Sequence, residues 1–250
     1  DVHDVIFENL TFRRATWAIA VNGGKNITVR RCWFDDVDHA FTAIRDASRV
    51  LVENCEFQGR SKWEDAGKGD SRTAISICGT GNVIRNNRVV EFASGINVGS
   101  GAAAYAIDIY HNDIEATNGN AIDLSGSTHN VRCFENRITN TGFGIYLESK
   151  AGGPIYVIRN ALYNIAYEPL RMRRTTSGAI IVNNTFVKAG TPWNILARQG
   201  VFNSFSRNNL FVSDSEEESA YALEGSGVMT NCDFDYDGYA GSWNLFMKWN

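Results

Sequence analysis

Long apolar runs and an excess of positive charge are both absent from this sequence. No stretch of eighteen consecutive apolar residues occurs among its 250 residues. Because a membrane-spanning helix needs about 20 such residues, the sequence predicts no membrane span. Lysine and arginine together number 24, against 28 aspartates and glutamates, and the formal net charge is −4. We therefore do not expect the chain as a whole to bind nucleic acid, although local basic patches remain open.

Metal-binding cysteine motifs are absent as well. The five cysteines and four histidines form no CxxC pair and no Cys/His spacing of the kind that holds zinc, so we predict no metal and no cofactor. Cys32, Cys55 and Cys232 recur at one position of the repeat described below, where we interpret them as small buried side chains. On neighbouring strands Cys32 and Cys55 come within disulfide range, but the repeat alone explains their spacing.

No signal peptide precedes the first structural unit. The chain starts at Asp1 and enters Val-Ile-Phe-Glu-Asn at residues 5–9 at once, so we expect a processed protein or a segment of a longer one. An uncapped solenoid end exposes core residues and an unpaired strand edge. We therefore expect an N-terminal segment, a neighbouring domain or another subunit to cover this end.

The sequence does contain a repeat. An Asn-rich step followed by a large apolar anchor recurs at intervals of 22 to 25 residues, with one interval of 32. The anchors are Phe12, Phe34, Phe57, Val89, Ile114, Ile138, Leu162, Phe186, Phe211 and Phe234. A period of this length is typical of a solenoid, whose units bury their apolar faces against each other. We predict one domain over residues 1–250, with regular coils at 5–212 and a looser coil and aromatic cap at 213–250.

Each unit carries two segments in which apolar and polar residues alternate. Gly-Ile-Asn-Val at residues 95–98 and Ala-Ile-Asp-Leu at 121–124 represent the first segment, and Ala-Ile-Asp-Ile at 106–109 represents the second. A period of two predicts half-buried strands. The β-branched residues in the strands and the Gly and Asn at the corners exclude helical repeats. The sequence therefore predicts an all-β solenoid of about nine to ten coils.

An asparagine stands two residues before the anchor in six consecutive coils: Asn87, Asn112, Asn136, Asn160, Asn184 and Asn209. Side-chain amides stacked at the strand spacing can donate to and accept from each other along the solenoid axis. We predict a structural ladder of hydrogen bonds at this corner.

With this repeat and its asparagines, the chain resembles the pectate-lyase-like superfamily of right-handed parallel β-helices. The resemblance rests on Asn-Asn-Arg-Val at residues 86–89, Asn-Asn-Thr-Phe at 183–186 and Asn-Asn-Leu-Phe at 208–211, and it covers residues 5 to 212. It implies a single-stranded, right-handed parallel β-helix. Members include lyases, hydrolases and epimerases that act on polysaccharides, together with phage tail proteins and adhesins, so the fold does not choose a function.

Aligning the coils by their anchors stacks the outward positions of the first strand into two columns. The columns read Ala20, Thr42, Ser76, Asn97, Asp123, Tyr146, Arg171, Leu196, and Cys78, Gly99, Ser125, Glu148, Arg173, Arg198. Alternation places both columns on one exposed face. We propose Asp123, Tyr146, Glu148 and Arg171 as catalytic residues. Asn97, Arg173 and Arg198 are candidates for contacts with substrate.

Two kinds of chemistry fit these columns. Asp123 and Glu148 differ by one coil and two residues, a diagonal of roughly 8 Å, which suits an inverting glycosidase. Neighbouring arginines, however, lower the pKa of a carboxylate and oppose a general-acid role. The second reading uses Arg171 and its neighbours to bind a uronate carboxylate, with Tyr146 as base or acid. We favour this lyase or epimerase reading. Exposed charges that merely stabilise the sheet are the structural alternative.

The longest coil adds about eight residues between Phe57 and Val89, in the loop at residues 59–70. Such loops form walls of binding grooves, and Trp63 has the flat apolar ring that stacks on sugars. A tolerated surface insertion explains the loop equally well. We thus expect a secreted or periplasmic β-helix enzyme acting on an acidic polysaccharide. Hydrolysis, and a non-catalytic carbohydrate-binding or tail-fibre role, remain the alternatives.

Overall fold

The computed structural model describes residues 2–66, 68–99, 103–149, 151–196, 199–214 and 219–250. In these residues the chain winds as an all-β, right-handed parallel solenoid of about 10 turns. Helix is confined, within the described ranges, to one 3-10 turn at Trp63–Asp65. The predicted fold class is confirmed.

Each regular coil contributes one strand to each of three long parallel sheets. The first sheet consists of His3–Glu8, Lys25–Arg30, Ser48–Glu53, Gly79–Thr80, Val83–Arg85, Ala104–Tyr110, Ser127–Phe134, Ile155–Ile158, Ala179–Val182, Phe205–Arg207 and Asp233–Asp235. The second consists of Thr11–Arg13, Trp33–Asp35, Glu56–Gln58, Arg88–Val90, Asp113–Glu115, Arg137–Thr141, Ala161–Ile165, Thr185–Lys188, Leu210–Ser213 and Gly238–Ala240. The third consists of Trp17–Asn22, His39–Ile44, Thr73–Ile77, Ser94–Val98, Asn120–Asp123, Phe143–Leu147, Leu170–Arg173, Trp193–Leu196, Ser219–Ser226 and Trp243–Trp249.

A small fourth sheet pairs Thr176–Ser177, Val201–Phe202 and Met229–Thr230. The two segments predicted in each coil are the strands of the third and first sheets. Six of the ten strands of the second sheet are only three residues long. Three residues are too few to show alternation, so the sequence does not predict these strands.

The anchors stack in register along the second sheet. Phe12, Phe34 and Phe57 pair in sequence, with ring centroids 4.9 and 4.6 Å apart. The predicted tenth anchor is wrong. Tyr239, not Phe234, pairs with Phe211, because the last polar step is Asp-Gly at residues 237–238 and contains no asparagine. Phe234 lies instead in the first sheet.

The predicted asparagine ladder is confirmed. All six members are buried, and each Nδ2 from Asn87 to Asn184 donates to the Oδ1 of the next member at 2.8–3.0 Å. Asn209 ends the row by donating to Oδ1 of Asp237 at 3.0 Å. An acidic side chain suits this last position, because it has only to accept. The ladder supplies hydrogen-bond partners at a bend that no sheet covers.

The residue before each ladder asparagine has a left-handed backbone. Asn86 has φ 55° and Asn183 has φ 59°, and asparagine tolerates this region better than other residues with a Cβ. The Asn-rich step in the sequence therefore reflects two needs, a left-handed corner followed by a buried amide.

Cys32 and Cys55 are buried free thiols. The backbone N–H of Cys32 donates to Sγ of Cys55 at 3.4 Å, so these cysteines take the ladder position in the first coils. No helix among the described residues is long and apolar enough to cross a membrane.

Candidate functional site

One column of the third sheet brings together four of the predicted site residues. Asn97 pairs with Asp123, Asp123 with Tyr146, and Tyr146 with Arg171. Strands in a sheet lie about 4.8 Å apart, so these side chains stand next to one another along the axis. The same column continues back through Ser76, Thr42 and Ala20.

The alignment fails at the next coil. Asn194 pairs with Arg171, whereas Leu196, predicted for this place, pairs with Arg173. The connection from anchor to column is eight residues here, as it is between Val89 and Asn97, but it is nine residues between Ile114 and Asp123. A constant connection length therefore does not give the register of every coil.

The second predicted column is less exposed than expected. Cys78 is buried completely, and Glu148 is only 7% exposed. The thiol of Cys78 lies against the carbonyl of Arg45 at 3.0 Å. Cys78 is therefore part of the core, while Glu148 lies at the floor of the face, beside Tyr146.

Asp123 is held by two hydrogen-bond donors. The backbone N–H of Ser125 donates to Oδ1 at 2.9 Å, and Nδ2 of Asn120 donates to Oδ2 at 3.0 Å. Burial nevertheless raises the pKa of Asp123, and the charge of Glu148 adds to this rise, against the opposing effect of the two donors. The expectation that arginine neighbours lower the pKa of both acids is wrong for Asp123, because desolvation outweighs them.

Tyr146 and Glu148 form a close pair. The phenol donates to Oε2 of Glu148 at 2.5 Å, and Nη1 of Arg174 donates to Oε1 at 3.4 Å. Burial, followed by the hydrogen bond to Glu148, raises the pKa of Tyr146. A phenol in this environment keeps its proton, so Tyr146 is suited to donate a hydrogen bond and not to act as a base. Arg174, which holds the other oxygen, was missed because it lies outside the strand, past its last residue.

Arg171 packs against aromatic rings. Its guanidinium lies 4.3 Å from the ring centroid of Phe143 and 5.4 Å from that of Tyr146, and Nε lies 3.9 Å from Oε2 of Glu168. Burial lowers the pKa of Arg171. Both Nε and Oε2 are buried without a hydrogen-bond partner in the described part of the chain. Arg171 therefore interacts mainly with residues of the same face, by stacking on the two aromatic rings and by lying near Glu168.

The predicted substrate contacts fall in different places. Arg173 is half-buried and makes no ion pair with any described residue. Asn97 is half-buried and lines a cleft described below. Arg198 lies outside the described residues.

Trp63 lies in the 3-10 turn of the long loop and does not line that cleft. Its ring is half-buried, and its Nε1 is buried without a partner among the described residues.

The long loop lies along one edge of the face. At one end Arg60 bridges Asp36 and Asp38 at 2.8 and 2.7 Å. At the other, the hydroxyl of Tyr167 donates to the carbonyl of Ala66 at 3.3 Å, although these two residues are 101 positions apart. The loop therefore spans several coils, as a wall does, and Ser71 at its end contributes to the cleft.

A cleft of about 540 Å³ occupies the N-terminal half of the same face. Its lining residues are Trp17, Ala20, Val21, Asn22, His39, Thr42, Ile44, Ser71, Thr73, Ser76 and Asn97. Trp17 is 53% exposed, and its ring stacks on His39 with centroids 4.0 Å apart. The small outward residues of these coils, Ala20, Thr42 and Ser76, contrast with the charged side chains of the later coils. The exposed tryptophan three residues before Ala20 was the signal for a cleft.

Metal ligands do not gather in the described residues. No group of three or more His, Cys, Asp or Glu side chains is placed there to hold an ion.

Comparison with known proteins supports the fold independently. A family model described as "Right handed beta helix region" matches residues 1–138, which is more than half of the chain. The chain belongs to this β-helix family. Comparison with curated proteins gives no match.

Several solved structures share this β-helix fold. The tailspike protein of E. coli bacteriophage HK620, in complex with a pentasaccharide, has a TM-score of 0.66 at 14% identity, covering 99% of this chain and 57% of its own. An alginate lyase from Paenibacillus sp. str. FPU-7 has a TM-score of 0.58 at 13% identity, covering 97% and 99%. An exopolygalacturonase from Thermotoga maritima has a TM-score of 0.51 at 14% identity, covering 90% and 53%.

The family match and these structures confirm the right-handed β-helix predicted from the sequence. The chain spans only 57% of the tailspike's length. At identities this low, the similarity establishes the fold alone.

Proposed function

We propose that this β-helix protein hydrolyses a polysaccharide bound along its third sheet, with Asp123 as general acid and Glu148 as general base. The observation that carries the proposal is the position of the two carboxyl groups: Asp123 pairs with Tyr146, and Glu148 lies two residues beyond Tyr146. Burial raises the pKa of Asp123, so this carboxyl group holds its proton more tightly than an exposed one and is suited to give it to a leaving oxygen.

The placement of the two carboxyl groups supports hydrolysis with inversion. Asp123 is the last residue of its strand, and Glu148 follows the end of the adjacent strand, offset by two residues, which puts their backbones roughly 8 Å apart. Inverting enzymes keep a separation of about 6.5–9.5 Å to admit a water molecule. Asp123 would protonate the glycosidic oxygen as its bond to the anomeric carbon breaks. Glu148 would take a proton from water as the water oxygen bonds to that carbon.

The face itself supports a chain-like substrate. From Ala20 to Arg171 the column crosses seven strands, a length of about 29 Å. An open groove of this length fits several sugar units. The similar structures include a tailspike with a bound pentasaccharide and two enzymes whose names specify polysaccharides. A secreted or periplasmic location is consistent with such a substrate.

Elimination or epimerisation is the second candidate, and Arg173 favours it. An arginine without an acidic partner among the described residues can bind a uronate carboxylate through paired hydrogen bonds. The raised pKa of Tyr146 argues against this candidate, because the reaction then lacks its base. Arg173 is equally able to hold an acidic sugar unit during hydrolysis.

Three single variants test the assignment. Asp123→Asn and Glu148→Gln keep the side-chain shapes and are expected to lower the release of reducing ends by at least about 100-fold, the usual size of acid–base catalysis. Asp108→Asn is the matched control, because Asp108 pairs with Arg132 on the first sheet. Activity retained in both site variants contradicts the assignment.

A further inference from the structure

The groove proposed along the third sheet, from Ala20 to Arg171, differs in charge between its two halves. Its C-terminal half carries Asp123, Glu148, Arg171 and Arg173. Among the described residues, the lining of the cleft in the N-terminal half contains no aspartate, glutamate, lysine or arginine. It does contain His39, whose pKa is lowered by burial. The described lining itself therefore provides no arginine or lysine to pair with a carboxylate.

The floor of the cleft mixes apolar and polar side chains at sugar-sized spacing. Ala20 pairs with Thr42, and Asn22 pairs with Ile44. These four form a checkerboard about 4.8 Å across the strands and about 6.6 Å along them. An apolar residue thus stands beside a polar one in both directions.

The polar side chains of this floor make no hydrogen bonds within the described structure. No described residue makes a hydrogen bond with the side chains of Asn22, Thr42, Ser76 or Asn97. The exposed ring of Trp17 stands at the edge, held by its stack on His39. A flat indole at the edge of a polar floor can cover the C–H face of a sugar ring.

Resting on the hydrolase proposed above, we infer that this cleft is a subsite for an uncharged N-acetylhexosamine unit of the substrate. The acetamido methyl group would lie against Ala20 and Ile44, and its N–H and C=O would be matched by Thr42 and Asn22. Because Asn97 belongs both to this cleft and to the column of Asp123, the unit would belong to the same chain that is cleaved. The substrate is then not a homopolymeric uronate, which would place a carboxylate in this cleft.

The test is ligand-observed saturation-transfer NMR with the full chain and three probes. These are the methyl glycosides of N-acetylglucosamine, glucose and glucuronic acid. We expect the strongest transfer at the acetyl methyl protons. Affinity for the glucoside should be at least about fourfold weaker, the effect of burying one methyl group, and the glucuronide should not bind measurably.

Two variants and one control locate the binding. Trp17→Ala removes an exposed ring, and Ala20→Glu adds a carboxylate at an exposed position; each should weaken the N-acetylglucosaminide at least tenfold. Trp33→Ala, an exposed tryptophan of the second sheet, should leave binding unchanged. Equal binding of the glucuronide, unchanged binding in Trp17→Ala, or no binding of any probe overturns the inference. Because no bond is cleaved in this experiment, its failure is separate from failure of the hydrolase proposal.

Discussion

Removing one rung of the asparagine ladder should destabilise the fold far more than removing a surface asparagine. In the native protein Oδ1 of Asn136 accepts from the backbone N–H of Asn112 at 3.1 Å. Its Nδ2 donates to Asn160 at 3.0 Å and to the carbonyl of Ile109 at 2.9 Å. Asn136→Ala deletes these contacts and the hydrogen bond from Nδ2 of Asn112 to Oδ1 of Asn136 at 3.0 Å, at a buried position.

The expected loss in the free energy of unfolding can be calculated from these contacts. An orphaned buried N–H costs about 1–3 kcal/mol, and each lost neutral hydrogen bond costs about 0.5–1.5 kcal/mol. The orphaned backbone N–H of Asn112 and three lost side-chain hydrogen bonds give about 2.5–7.5 kcal/mol. The measurement is urea unfolding followed by far-ultraviolet circular dichroism.

Asn22→Ala is the matched control, since Asn22 is an exposed strand residue that makes no hydrogen bond with any described residue. It should change stability by less than about 0.5 kcal/mol. If Asn136→Ala costs no more than this control, the ladder does not stabilise the solenoid as argued.

Three further predictions concern the site. Folding raises the pKa of Asp123 above its ordinary value of 3.8. The folded protein therefore binds this proton more tightly than the unfolded chain and loses stability as the pH rises above that value. In thermal unfolding, Asp123→Asn should be more stable than wild type at pH 7 but not at pH 3. Tyr146→Phe removes the hydrogen bond to Glu148, worth about 1.5–3 kcal/mol to a charged group, and should lower the rate of reducing-end release at least roughly tenfold; an unchanged rate excludes a role for the pair. Arg171→Lys keeps the charge but loses the planar stack on Phe143, and should cost about 0.5–2 kcal/mol of stability, whereas no loss on urea unfolding refutes that packing role.

Much of the fold could be predicted because a solenoid repeats the same physical problem in every coil. The Asn-rich corner has a local cause in every coil, because a left-handed residue must precede a buried amide there. The anchor follows at a fixed distance from that amide. The spacing therefore carried the register of the third sheet from Ala20 to Arg171. It failed where the local signal changed, at Leu196 and at Phe234. That residues 1–250 make up one domain stays a prediction.

The site was less predictable, because its properties come from burial and from long-range contacts. Sequence placed Asp123, Tyr146 and Arg171 in one column, but only three-dimensional packing reveals that burial outweighs the arginines around Asp123. The contact between Tyr167 and Ala66 joins residues 101 positions apart, and no local pattern announces it. The assigned roles of Asp123, Glu148 and the other site residues remain proposals.

The most direct test of the account is the structure of the product. The protein is incubated with a panel of neutral, uronate-containing and N-acetylhexosamine-containing polysaccharides, and the first products are followed by proton NMR and by ultraviolet absorbance. The account predicts new reducing ends with inverted anomeric configuration, no unsaturated product, and loss of the new reducing ends in Asp123→Asn. Unsaturated sugars, or retention of configuration, contradict it.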